Sequence, residues 1–350
     1  LDGGSSWAPF RNNLPMVGIR DMVIQEREAD LVMATHGRGI IILDDLEALR
    51  QLTPEVTAKK FTFLNVKPAY LGDGAGIGMG DFGGSGTFVG LNQPRAARIM
   101  YYNQRRHMFG KMYVEVWKDG ELLRTMQAGK GAGLNVVELP TSIKKPRAAP
   151  TNNRMALFGT LSGPNLPAGK YDVKLIKGKE TFETQIELTV EDDDVYSVAD
   201  REAQRKTLMA VYNDTEELAW IYDTYERIET QAKALTPTKK KAVEMVTGIV
   251  ERAAKAKANL VFLGGDFYVD EGARLREEMG SLYFDISTFP GQPSDSQEQE
   301  ALRIHGEMVR VKATFEAMLK GQVAALNEKL VEDERIRWSS KADFLAAESI

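Results

Sequence analysis

Three histidines, His36, His107 and His305, are the side chains of this 350-residue sequence best suited to proton transfer or metal ligation near neutral pH. They fall on a predicted hairpin turn, a strand-edge loop and a predicted helix, too dispersed for a shared metal site. His36 is the best single candidate for function; the simpler reading is a turn histidine hydrogen-bonded to nearby backbone. Carboxylates cluster at Asp44-Asp45 and at Asp192-Asp193-Asp194. Glycoside hydrolysis needs an acid and a base about 5–10 Å apart across a cleft. Adjacent residues in a strand point to opposite faces, so Asp44 and Asp45 form no such pair. The aspartate triplet has the charge for Ca²⁺ but no convergent further ligands, and reads as a solvated linker. Arg105-Arg106-His107 and Lys144-Lys145-Pro146-Arg147 read as solvated loops, although Arg105 and Arg106 beside Tyr101 and Tyr102 have the composition of a nucleic-acid or glycan surface. Trp117 and Trp220 read as core. No catalytic, cofactor-binding or metal site is assigned, and no Ser/His/Asp arrangement supports protease chemistry.

Composition narrows the classes further. The net charge of −5 gives no reason to expect nucleic acid or an anionic membrane as partner. A hydrophobic fraction of 43% is enough for two or three ordinary cores, and no apolar run is long enough to span a bilayer. There are no cysteines, which removes disulfides, thiolate nucleophiles and zinc–thiolate sites. Gly78-Met79-Gly80-Asp81-Phe82-Gly83 is formally a GxGxxG, but it lacks the strand before and the helix after that a nucleotide site requires. The glycine-rich stretch 72–90 reads instead as a flexible or strap-like linker.

The elements that position these residues begin with the stretch 30–45. Two apolar runs, 31–34 and 40–43, flank Thr35-His36-Gly37-Arg38-Gly39, the pattern of strand, glycine-containing turn and strand. Gly37 and Gly39 supply positive φ or room for a close approach. The second run is apolar throughout, which predicts a strand covered on both faces. A further strand is expected over 18–25, and one or two helical turns over 46–52, stopped by Pro54. Upstream, Asp2-Gly3-Gly4-Ser5-Ser6-Trp7 fits the turn motif Asp-x-Gly-x-Ser/Thr-x-Trp. Its chemistry is structural: Asp2 accepts turn N–H groups, Gly4 takes the strained position and Trp7 plugs neighbouring space.

Asp2, Gly4 and Trp7, with Asn13-Leu14-Pro15 and the hairpin carrying His36, Gly37, Arg38, Gly39, Asp44 and Asp45, resemble the end of a bacterial BNR/Asp-box, sortilin-like β-propeller of the "glycosyl hydrolase"-labelled type. The resemblance implies that residues 1–53 are the last strands of a propeller, that further blades lie upstream of Leu1, and that the protein is extracytoplasmic. Propeller glycosidases draw their catalytic groups from loops of several blades, so this portion is expected to lack an active site. The chain starts inside the motif, and the lack of a leader sequence is uninformative.

Residues 54–95 read as an extended glycine-rich linker, with 61–66 and 68–70 lying against a neighbour. Period-two segments then follow at 98–102, 112–118, 121–126, 135–139, 154–158, 170–176 and 181–190, separated by turns such as Lys118-Asp119-Gly120 and Lys177-Gly178-Lys179. They predict an immunoglobulin or fibronectin-III-like β-sandwich over 96–192. The segments Asn92-Gln93-Pro94, Ala132-Gly133-Leu134-Asn135 and Leu166-Pro167-Ala168-Gly169 are similar to the sandwich that follows the propeller in the same family. From 193 the pattern is helical. Ser197–Asp200 and Ser294–Gln297 are capping boxes, Thr236-Pro237 is a candidate cap, and apolar steps of three and four predict a helical bundle or coiled-coil hairpin over 193–350. The expected function is non-catalytic binding or scaffolding, with a protein partner or second copy engaged through the helical tail and a glycan as a further possible ligand. The alternative is the accessory C-terminal region of a sialidase-like or other propeller glycosidase whose active site lies upstream.

Overall fold

Alternating and apolar segments place three strands at the start of the chain: β1 (Ile19–Gln25), β2 (Asp30–Thr35) and β3 (Ile40–Leu43), an antiparallel meander in the order β1-β2-β3. The computed structural model describes residues 4–7, 9–10, 13–71, 96–160, 162–191, 194–264 and 272–347. Asp2, the GxGxxG stretch, Asn92-Gln93-Pro94 and Asp192-Asp193 lie outside the described residues. The protein is mixed α/β, with several sheets and helices, one sheet being curled into a half-barrel. It divides into two compact units, the first drawing on Leu1–Leu71, Pro94–Thr141 and Ala168–Thr189.

In the first unit the meander leads into α1 (Leu46–Arg50) and α2 (Pro54–Ala58). Pro54 does more than stop α1: it opens α2, with the Thr53 side chain accepting from the N–H of Val56. Then β4 (Phe61–Phe63) pairs antiparallel with β6 (Ala96–Asn103), and β5 (Ala69–Tyr70) pairs parallel with the much later β11 (Glu180–Thr189). With β7 (Met112–Lys118), β8 (Glu121–Gln127), β9 (Gly133–Pro140) and β10 (Gly169–Lys177), these strands form a five-stranded sheet, β5-β11-β10-β7-β8, and a three-stranded sheet, β4-β6-β9. Alternate residues are buried: Met112, Val114 and Val116 on β7, Tyr171, Val173 and Leu175 on β10, Ala97, Ile99 and Tyr101 on β6. The two sheets meet where the Phe61 and Phe182 rings lie 4.2 Å apart.

One expected strand is a helix. Residues 154–158 fall in α3 (Arg154–Gly159), in the second unit, capped by the Asn153 side chain, which accepts from the N–H of Ala156 at 2.8 Å. Its small residues Ala156 and Gly159 lie against Gly280 of α6 (Leu275–Ser287), so tertiary contact overrides the β-like local pattern. The long α4 (Val198–Ala234) carries α5 (Lys240–Leu260), α6 and α7 (Asp295–Met318) around a core that includes Leu218, Ile221, Ile228, Ile249, Met279, Tyr283, Ile304 and Phe315. Both capping boxes form. Thr236-Pro237 do not cap α5, which starts at Lys240; Leu235 packs into the core and holds the chain extended after α4. A π-helical turn, Leu319–Val323, links α7 to α8 (Ala324–Asn327), and α9 (Lys341–Ala346) returns to α4.

Candidate functional site

The hairpin between β2 and β3 holds its turn by local chemistry. The Thr35 N–H and hydroxyl both donate to the Gly39 carbonyl, at 3.1 and 2.6 Å, and the Arg38 N–H donates to the Thr35 hydroxyl at 3.1 Å. Gly37 (φ 81°) and Gly39 (φ 69°) occupy the left-handed region that this turn requires. His36 donates its backbone N–H to Gly18 at 2.9 Å, while its imidazole has no hydrogen-bond partner among the described residues. The histidine therefore acts in the turn through its main chain.

Asp44 is exposed and Asp45 half-buried. Asp45 stands in left-handed backbone (φ 58°), donates its N–H to Asp30 Oδ1 at 2.8 Å and pairs with Arg98 at 3.5 Å. It is a structural corner at the start of α1, held by the Asp30 carboxylate and the Arg98 guanidinium. Gly4 has φ 87° and its carbonyl accepts from Trp7 Nε1 at 3.0 Å, while Trp7 is 91% exposed. The tryptophan thus closes its own turn and plugs no neighbouring surface among the described residues.

The meander positions a different feature. Register places Val23, Val32 and Ile42 side by side, with Ala34 and Ile40 beside them on the same face. Ile40 is 69% exposed and Ile42 56%, and Val23 and Ala34 are exposed too. On the opposite face Met33 is buried and Ile41 and Leu43 half-buried, while Met22 and Ile24 of β1 are exposed there. The expectation that β3 is covered on both faces is therefore met on one face only. β1 and β3 are both edge strands of this sheet.

Elsewhere the sequence-level candidates are absorbed by structure. Tyr101 is fully buried, donates to the Gly129 carbonyl at 2.7 Å and has its hydroxyl pushed up to about 12 by burial, so it offers no stacking face beside Arg105 and Arg106. Arg147 lies over the Phe344 ring at 3.4 Å and donates to the Phe344 carbonyl. Asp194 accepts from the Tyr196 N–H at 2.8 Å and pairs with Arg201. Trp220 packs edge-on to Phe315 and donates to the Ser339 carbonyl at 3.0 Å.

Sequence reasoning missed one charged cluster. Asp214 and Glu217 sit among apolar residues on α4, and both are buried. His305 Nδ1 lies 3.0 Å from Asp214 Oδ2; Lys312 lies 2.9 Å from Glu217 Oε1, and Lys341 pairs with Glu217 Oε2. Burial raises both carboxyls, but for Glu217 the two ammoniums outweigh it and hold the group below its ordinary range, whereas Asp214 stays above its own. The available signal was two carboxylates interrupting the apolar stripe between Val211 and Leu218. Asp214 lies against the His305 ring, and among the described residues no hydroxyl is bonded to that ring. No metal-holding cluster occurs among the described residues, and no described helix is long and apolar enough to cross a membrane. A comparison with known family models and with curated protein sequences finds no match to this chain.

Proposed function

We propose that this chain is a non-catalytic binding and scaffolding portion of an extracytoplasmic, BNR/sortilin-like propeller protein, and that β1–β3 form part of a blade completed by further β structure. The observation that carries the reading is the uncovered apolar face of Val23, Val32, Ala34, Ile40 and Ile42 on a sheet with two edge strands. An apolar sheet face of this kind marks an interaction surface. The fibronectin-III-like character of the two β4–β11 sheets and a role for the helical tail in engaging a partner or second copy belong to the same reading. The test is the intact mass and N-terminal sequence of the protein isolated from its source. Blades preceding Leu1 support the propeller reading. A native chain beginning at Leu1 that remains monomeric with this face exposed rejects it.

A second reading, an accessory region of a propeller glycosidase, draws on the surface around Trp117. Its half-buried indole stands beside Asp172, Lys174, Glu183 and Gln185, and Gln185 donates to Asp172 at 2.7 Å. An aromatic ring flanked by hydrogen-bonding side chains has the amphipathic chemistry of a glycan platform. Co-sedimentation with insoluble polysaccharides, lost in Trp117→Ala, supports this reading; no sedimentation rejects it.

A further inference from the structure

Within the helical unit, α5 and α7 frame an open groove of about 560 Å³, closed at its base by Tyr225 of α4 and at one end by the π-helical turn. Ligand pockets span roughly 300–1,000 Å³, so the groove has the size for one medium-sized organic molecule. Its floor is apolar: Tyr225, Leu260, Val311 and Met318. Its rim is cationic, from Arg252 and Lys255 on α5 and Arg310 on α7.

The rim charges differ from their neighbours. Arg303 on α7 pairs with Glu278, Glu300 and Glu307, Lys312 pairs with Glu217, and Lys257 on α5 pairs with Glu226 and Glu229. Arg252, Lys255 and Arg310 pair with no carboxylate among the described residues. Glu307, the one acid lining the groove, is engaged by Arg303 at 3.1 Å. The cations facing the groove are thus the ones left uncompensated.

Two further observations point inward. Tyr225 is only 2% exposed, and its hydroxyl has no partner among the described residues. Burial alone pushes that hydroxyl up to about 12, so it is a proton donor at neutral pH. The π turn places Gln322 in the lining with its side-chain amide against the Arg252 guanidinium; with the amide oxygen assigned to that side, it accepts from Arg252 at 2.5–3.2 Å. Such turns are rare and concentrate at functional sites. Here the turn steadies a cation that has no counter-ion.

We propose that this groove binds an amphipathic organic anion, an apolar body carrying a carboxylate, with the body on the Tyr225–Val311–Met318 floor and the head group accepting from Arg252, Arg310 and the Tyr225 hydroxyl. The proposal is independent of the propeller reading.

Isothermal titration of the full chain with decanoate tests it, with decanol and decyltrimethylammonium as controls of equal apolar length. Decanoate binds with one site, at least tenfold tighter than either control, and Arg252→Gln/Arg310→Gln and Tyr225→Phe each weaken it at least fivefold without changing the thermal midpoint. If the arginine double variant does not fold, Tyr225→Phe and Lys255→Gln carry the test. Equal affinity for decanol, no binding of decanoate at 1 mM, or unchanged affinity in the folded variants overturns the proposal. So does a concentration-dependent dimer that Arg310→Gln abolishes and decanoate does not displace, which assigns the groove to a second copy of the chain.

Discussion

Gly280 on α6 stands so close to Ala156 on α3 that a Cβ built on it falls 2.6 Å from Ala156 Cα, and a Cβ on Gly159 falls 2.2 Å from the Gly280 carbonyl oxygen. Both obstacles are backbone, which cannot swing aside. Gly280→Ala is therefore expected to cost about 1–3 kcal/mol through forced separation of the helices. Chemical denaturation of the single variants and the Gly159→Ala/Gly280→Ala double variant measures this, and the double should cost less than the sum because one displacement relieves both clashes.

The apolar face of the meander separates assembly from stability. Ile40→Ser/Ile42→Ser alters two exposed side chains, so each change is expected to shift stability by no more than about 0.5 kcal/mol. Self-association or capture of a partner through this face should fall, as read by light scattering. Met33→Ala on the buried face should instead cost about 2–5 kcal/mol with no specific effect on association.

Glu217 and Asp214 predict opposite responses to acid. Glu217 is held below its ordinary 4.5, so the stability it contributes is present above that value and is lost as the pH falls through its lower folded-state value. Glu217→Gln should thus cost about 1–2 kcal/mol near neutrality, and the difference from wild type should shrink below pH 4.5. Asp214 titrates above its ordinary 3.8, so it favours the folded state most fully below that value and loses this contribution as the pH rises through its folded-state value. Asp214→Asn should flatten that component. Urea midpoints of the three proteins from pH 3 to 7 check both signs.

Asp45 occupies left-handed backbone at φ 58°. Asn and Asp tolerate this region and Gly is free in it, whereas a β-branched residue pays roughly 1–2 kcal/mol there. Asp45→Val is expected to lower the thermal midpoint clearly. Asp45→Gly should lower it less, its remaining effect being loss of the Arg98 pair.

The parts of the fold legible in the sequence were those specified locally. Alternation and turn residues located β1 to β3 and β6 to β11, and the serine capping boxes located the starts of α4 and α7. α3 was illegible because its reason lies at Gly280, far along the chain, and local β propensity is a weak competitor to close helix packing. The exposed side of β3 was illegible for a related reason: Ile40-Ile41-Ile42-Leu43 reads as doubly covered whether the cover lies in this chain or in another. The uncompensated rim of Arg252, Lys255 and Arg310 follows from which lysines and arginines find acids across helices, and no linear spacing encodes that. The turn at His36 was legible as a turn, while the use of its main chain instead of its ring was not.

The parallel pairing of β5 with β11 imposes a schedule on synthesis. Ala69 and Tyr70 leave the ribosome well before their partners Leu188 and Thr189, which come only after the rest of that sheet has been made. Until the β10–β11 hairpin closes, the backbone groups of β5 wait without their ladder, and β4 waits in the same way for β6. While the residues from β6 to β10 are being made, β5 is an open edge that a chaperone, or a neighbouring nascent chain, can occupy.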